Sequence, residues 1–404
     1  MNRTRWIFFA IIGLAVVIVV AGVVVFAPRN DNTTIGGEEI DTSQPVEVTV
    51  VTALSIEPWI REAAEQFNQE NHILEDTGQT VQVTIIPMDG LAAKSKFERE
   101  EMDPVPTAWI PDSRYLTELV NATFKERLGR DVFLTDGEYR GRPVAITLLA
   151  WGIYDSRAQA LESTFGEINW QVIHDAAVNP DGWDDLGGKG EWGFFKLAIS
   201  NPRKNVSGLG AMVAAAGEYY DQTSISVDDV NKNDFQDWLA EIMGSMSDLS
   251  GGTYTVQDLA LFGYTTGDAG QLLESDLLLN MDGIQTRWAD PLRIVYPKYV
   301  TWFDFPFTVW IGPETTADQK NAALVFEEYL LSEAIQQRSL AYGLRPVSPN
   351  VPIDGPSAEG QSLFIRWQSQ GAQAVVPRTT AMRSPDRQVL QDLLRFFDLR
   401  VAGR

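Results

Sequence analysis

The sequence predicts an α/β fold assembled from strand–loop–helix units, and three stretches carry that prediction. In the first, Val46, Val48 and Val50 alternate with polar residues as a strand does, and residues 52–55 follow as a loop. Ile56, Ile60, Ala63, Ala64 and Phe67 then fall on one helical face. In the second, residues 107–111 read as a strand, and Asp112 and Ser113 open a helix that carries Tyr115, Leu116 and Leu119. In the third, the apolar run 194–199 ends at Ser200, Asn201 and Pro202 break it, and residues 203–205 form a polar loop. Ser207 then stands at the N-cap position before Leu209, Met212, Val213 and Ala216 at helical spacing. Units of this kind, repeated, imply a parallel sheet with helices on its faces.

Taken in order, the chain begins with Arg3 and Arg5 and then an uncharged apolar run from Trp6 to Ala27. A bilayer core takes about 20 such residues, so this run is expected to be one N-terminal transmembrane helix. The preceding arginines place its start in the cytoplasm and all that follows outside. A cleaved signal peptide is the competing reading; its apolar region would span only about 7–15 residues, and Ala27 is followed by Pro28. Residues 28–45 are polar, acidic and contain glycine, as a flexible tether does. Val81, Val83 and Ile85 give a second alternating strand, and the apolar run 144–151 is expected to leave the first sheet for a second one. Residues 263–273 resemble the opening unit in kind, a loop with Thr265, Thr266 and Gly267 followed by a helix. Residues 292–296 are a strand candidate ending at Pro297. Thr316 and Gln319 form a capping box that opens a long helix through Ala322, Phe326, Leu330 and Ile335, closed near Gly343. Ser384 and Pro385 start a last helix bearing Leu390, Leu393, Leu394 and Phe397.

Composition excludes several function classes. A formal charge of −23 across 404 residues cannot replace the counterions of a nucleic acid. With no cysteine, disulfides, thiolate metal sites, cysteine nucleophiles and a lipid-modified N-terminal cysteine are all absent. His72 and His174 are the only histidines. The literal GxGxxG at Gly188, Gly190 and Gly193 precedes an expected strand instead of joining a strand to a helix, so it has no dinucleotide geometry. Asp229, Asn231 and Asn233 begin like a calcium loop, but Asp234 stands where glycine is needed and Ala240 where the bidentate glutamate belongs. Asn179, Asp181 and Asp184 read as a solvated acidic turn. Asn205 occupies the first position of a would-be GxSxG around Ser207, and neither histidine is marked as its partner. Neighbouring acids such as Asp184 and Asp185 do not by themselves face one bond, so no catalytic residue, metal site or cofactor is assigned.

Several separated stretches, in order, resemble the bacterial extracellular solute-binding proteins, in the branch related to the molybdate- and sulfate-binding components of ABC importers. These are VTVVTALSIEPWIREAAEQFN, TAWIPDSRYL, WGFFKLAISNPRKNVSGLGAM, GYTTGDAGQLLESD, IVYPKYVTWFDFPFTVW and AALVFEEYLLSEAIQQRSLAYGLRP. The resemblance implies a two-lobed periplasmic-binding-protein-like fold of type II, with a hinge, a ligand cleft and no catalysis. It implies lobe I at 46–146 and 298–404 and lobe II at 147–297, following 1–27 as cytoplasmic tip and anchor and 28–45 as linker. An uncleaved anchor without a lipidated cysteine and the acidic stretch 178–189 depart from the secreted pattern.

In open parallel sheets ligands sit outside the carboxyl ends of the strands. That rule selects Thr52, Ala53, Leu54, Ser55, Trp109, Asp112 and Ser113 on one lobe, and Ser207, Gly208, Thr265, Thr266 and Gly267 on the other. Their hydroxyls and helix-start amides suit an oxyanion or a sugar-like solute. Ser207 either donates to ligand or caps its own helix. Trp59 and Trp109 either wall a sugar site or fill the core, and Tyr296 either reaches the cleft or packs the hinge. Arg203 and Lys204 either complement an anion or form a surface pair. The expected partners are a small solute and the permease subunits of an ABC importer, with the membrane engaged through residues 6–27. The alternative is an anchored sensor or interaction module of the same fold that reports ligand to a partner protein.

Overall fold

The computed structural model describes residues 44–249, 255–357, 360–376 and 379–403. The expected membrane span from Trp6 to Ala27 lies outside the described residues, among which no helix is long and apolar enough to cross a membrane.

The first three strand–helix units form as their patterns dictate. In β1 (Val46–Thr52) the valines at 46, 48 and 50 are buried and Glu47 is exposed. Helix α1 (Glu57–Glu70) buries Trp59, Ile60, Ala63, Ala64 and Phe67, the face the spacing marks. β2 (Val81–Pro87) leads to α2 (Gly90–Arg99), and β3 (Ala108–Ile110) leads to α3 (Arg114–Leu128). β1 lies between β2 and β3 and is parallel to both. β4 (Arg142–Pro143) ends this part of the chain.

β5 (Thr147–Tyr154) enters a second sheet and is buried at all eight positions, which is why its sequence runs apolar without alternation. It is followed by α4 (Asp155–Phe165), α5 (Trp170–Val178), α6 (Val206–Tyr220), α7 (Asn233–Met243) and α8 (Thr255–Phe262). Then come β6 (Ala269–Leu273), α9 (Glu274–Trp288) and β7 (Leu292–Val295). The chain returns through β8 (Tyr299–Val300), β9 (Trp302–Phe303) and β10 (Pro306–Val309). The first sheet has the order β2-β1-β3-β10-β4, with β10 antiparallel to β3 and β4. The second has the order β6-β5-β7, and β9 also pairs with β5; every pairing of β5 is antiparallel.

Two crossings therefore join the sheets, one between β4 and β5 and one between β9 and β10. They are tied together where the Val144 amide donates to the Phe305 carbonyl at 3.2 Å. Phe305 is buried and sits at φ 35°, a backbone region that bulky residues avoid.

Several expectations are corrected. Residues 194–199 run extended but form no strand; Leu197 makes single bridges to Met246 and Ala269. Both bridges are parallel, and the one to Ala269 sets this segment beside β6 ahead of α6, so a parallel arrangement is kept here although β5 itself pairs only antiparallel. In 263–273 the order is inverted: a short 3-10 turn (Gly263–Thr265) precedes a strand, and the helix starts only at Glu274. The capping box at Thr316 forms, but the helix it opens, α10 (Ala317–Leu331), ends at Ser332, where ψ swings to 145°. Helix α11 (Glu333–Ser339) follows as a separate piece. The last helix, α12 (Arg387–Phe396), starts at Arg387 and not at Ser384.

Residues after Arg345, given to the first lobe by the sequence reading, are held largely on the second-sheet side. The turn Leu363–Arg366 contacts α9, and Thr380 and Ala381 pair with β8. Helix α12 contacts α6 and the turn Val227–Val230, where Asn231 donates to the Asp392 carboxylate at 2.8 Å. It also reaches α3 of the first lobe, through Arg387 to Glu126 at 2.8 Å.

Candidate functional site

A cavity of about 110 Å³ opens at the carboxyl ends of β1 and β3, and its walls come from both lobes. Leu54, Ser55 and Pro58 enter from the loop between β1 and α1, Asp89 and Gly90 from the start of α2, and Asp112 from the turn after β3. Facing them are Asn205 at the start of α6, Gln257 on α8, and Leu273, Asp276 and Leu279 from the junction of β6 with α9. Larger depressions exist, of about 740 Å³ beside Arg157 and Trp192 and about 720 Å³ beside Glu70 and His72, but each is lined from one lobe alone.

Local structure fixes these side chains. The Ala53 amide donates to the Ile110 carbonyl at 2.8 Å, which holds the two strand ends level. Asp89 caps α2, accepting from the Leu91 and Ala92 amides at 3.0 Å each. The Ser55 hydroxyl donates to Asp112 at 3.3 Å. Gly90 is required by close approach, since a Cβ there would stand 2.3 Å from Asp112 Oδ2 and 2.5 Å from Leu116 Cδ1.

The polar lining is dominated by carboxylates. Burial, together with the Asp89 charge, pushes Asp112 up to about 7 against the pull of Ser55. Burial pushes Asp276 up to about 7 and raises Asp89 as well, the latter opposed by the Ala92 and Leu91 amides. Among the described residues no lysine, arginine or histidine lines the cavity.

Of the residues selected from the sequence, Leu54, Ser55 and Asp112 line this cavity. Thr52 and Ala53 are fully buried beneath it. The Trp109 side chain is in the core between Phe97 and Phe133, with ring centroids at 4.9 and 5.5 Å. Trp59 is equally buried and donates to the Ile335 carbonyl at 3.3 Å, so neither indole walls the cavity. Ser113 caps α3, accepting from the Tyr115 amide at 3.3 Å.

On the second lobe the selection fares differently. The cap of α6 is Asn205, whose side chain accepts from the Ser207 amide at 2.8 Å. Ser207 is therefore inside the helix and buried, and the helix-start amides at 207 and 208 are bonded to Asn205. Gly208 is there for the Ser200 carbonyl, which a Cβ would meet at 2.0 Å. Thr265 and Thr266 line a separate cavity of about 390 Å³ with Asp248 and Asp258, and the Thr266 hydroxyl donates to the Asp258 carbonyl at 3.1 Å. Gly267 abuts Ala198. These three precede β6, at its amino end, so the strand-end rule was applied to the wrong terminus. The Tyr296 hydroxyl donates to Glu274, within a buried group that includes Arg345, and the Arg345 backbone is bridged to Ile146 in the first crossing. Arg203 forms a surface pair with Asp398.

Asp89, Gly90, Asn205, Gln257, Leu273 and Asp276 line the cavity and were not selected. Asp89 and Asn205 carry a readable signal, since each is a capping residue just ahead of a helix.

The family described as "Bacterial extracellular solute-binding protein" matches residues 48–345. No curated protein sequence matches the chain. Among solved structures, the sulfate-binding protein SubI from Mycobacterium tuberculosis H37Rv is similar over 88% of this chain and 99% of its own, at 15% identity and a TM-score of 0.52. The ferric binding protein from Campylobacter jejuni is similar over 88% of this chain and 99% of its own, at 10% identity and a TM-score of 0.53. An ABC transporter structure from Clostridium perfringens ATCC 13124 covers 87% and is itself covered to 99%, at 15% identity and a TM-score of 0.52. At such identities these likenesses establish the two-lobed α/β architecture alone.

Proposed function

The chain belongs to the bacterial extracellular solute-binding proteins, and from that premise we propose that it captures a small polar solute between its lobes and delivers it to the permease of an ABC importer. The observation that carries the reading is the cavity walled by Ser55, Asp89 and Asp112 on one side and by Asn205, Gln257 and Asp276 on the other. A solute that touches both walls has more partners when the lobes are closed than when they are apart, and this difference in affinity drives closure. In this reading residues 6–27 tether the protein to the outer face of the cytoplasmic membrane.

The native chain has no cysteine, so dye pairs can be placed at will. In an Asp76→Cys, Asp228→Cys variant, with one label on each lobe, solutes that raise the melting temperature should also raise energy transfer between the dyes. Solute binding that leaves the transfer efficiency unchanged would overturn the closure reading.

A further inference from the structure

Three carboxylates from three separate elements face the same cavity: Asp89 at the start of α2, Asp112 after β3, and Asp276 in the first turn of α9. The other groups that face it carry no charge: Ser55, Asn205 and Gln257 are polar, and Leu54, Pro58, Leu273 and Leu279 are apolar. The Asp276 carboxylate has no hydrogen-bond or ion-pair partner among the described residues, although it lines the cavity from the lobe opposite Asp112.

Elsewhere the deeply buried acids obey the usual rule that a buried charge is paired. Glu274 is held by Arg345 at 2.7 Å, Asp268 by Arg157 at 3.1 Å, and Glu327 by Arg142. Among the described residues Glu218 is also pushed up to about 7 by burial with no ion pair, but it stands alone, whereas around this cavity the buried Asp112 and the half-buried Asp89 and Asp276 gather with no cation beside them. An oxyanion placed there would meet like charge from both walls, whereas a positive group would relieve repulsion on both. A metal ion suits the site less well, because no group of three or more acidic or imidazole side chains among the described residues is arranged to hold one.

We propose, resting on the reading of this cavity as the solute site, that the solute is a small organic cation whose amine or guanidinium nitrogens bridge Asp112 and Asp89 on one lobe to Asp276 on the other. Each N–H donates to a carboxylate oxygen, which gives charge-assisted bonds. The uncharged amides of Asn205 and Gln257 take the neutral part of the molecule. In the empty cavity protons hold the place of the cation, because burial pushes Asp112 and Asp276 up to about 7. Protons and solute therefore compete.

The test is calorimetric titration of the full-length chain in detergent with putrescine and methylguanidinium as cationic probes, and with sulfate and glucose as comparisons, at pH 6 and pH 8. At least one cation should bind, at least tenfold tighter at pH 8 than at pH 6. Asp112→Asn and Asp276→Asn should each weaken it at least tenfold while the chain still melts cooperatively. Sulfate or glucose binding that Asp276→Asn alters, with neither cation binding, would overturn the charge assignment and leave the solute-binding reading standing. Cation binding indifferent to both substitutions would overturn it, as would no cation binding at either pH to a chain that melts cooperatively. The dye-pair measurement then judges the solute-binding reading on its own.

Discussion

Replacing Glu274 by alanine should cost about 3–5 kcal/mol of stability, the range for removing one partner of a buried ion pair. Glu274 is fully buried at the first turn of α9, and Arg345 is 4% exposed. The guanidinium of Arg345 grips both carboxylate oxygens at 2.7 Å and also donates to the Gln373 and Ala374 carbonyls. The Tyr296 hydroxyl donates to the same carboxylate. Without Glu274 the guanidinium keeps two carbonyl partners but no counter-charge, and it cannot reach water without opening the loop at Gln373. An exposed pair would cost only about 0–1 kcal/mol, so the burial decides the magnitude. Urea denaturation followed by tryptophan fluorescence reads the difference. The double substitution Glu274→Leu, Arg345→Met should recover most of the loss, because two apolar groups leave no orphaned charge. A loss below about 1 kcal/mol for Glu274→Ala would refute the argument, as would a double variant no better than the single one.

Two further outcomes follow from the site. Asn205→Ala should lower stability by about 1 kcal/mol, the usual worth of an N-cap, while Ser207→Ala should cost less because its hydroxyl is not the cap; equal losses in thermal denaturation would return the cap to Ser207. Asp112 and Asp276 have folded pKa values of about 7, above the 3.8 of the free group, so their stabilising contribution is complete below about pH 4 and is lost as pH rises toward 7. The solute-free protein should therefore lose stability over that window through these two groups, and Asp112→Asn with Asp276→Asn should flatten that loss in denaturation curves taken at several pH values; an unchanged slope would contradict the assigned burial.

Much of the first sheet was legible because its strands alternate and its helices carry one apolar stripe. At Val46, Val48 and Val50 the period of two leads directly to a buried face, and α1 buries the residues the period of 3.6 marks. The second sheet was harder to read for a physical reason. At Leu273 the strand passes straight into the helix with no glycine, proline or loop between them, and the polar Gln271, Glu274 and Ser275 on either side are buried, so neither turn signals nor an apolar–polar alternation mark that boundary. Misplacing that boundary moved Thr265, Thr266 and Gly267 to the wrong end of the strand and hid Asp276 among ordinary helix acids. At α6 two good capping residues stand two positions apart, and only the fold decides that Asn205 takes the role. The break of α10 at Ser332 has no glycine or proline to announce it. Nothing local in the sequence tells that Asp112 and Asp276, far apart along the chain, face one small volume.

The buried amide of Phe305 donates to the carbonyl of Asp112 at 3.4 Å, while its own carbonyl receives the Val144 amide. One peptide segment is thus bonded both to the other crossing between the sheets and to the backbone behind the cavity wall. On the proposed reading, a guest that shifts the Asp112 backbone acts directly on this crossing, with no relay of side chains in between. In the proposed closure, arrival of cargo and turning of the joint would be, at that point, a single displacement.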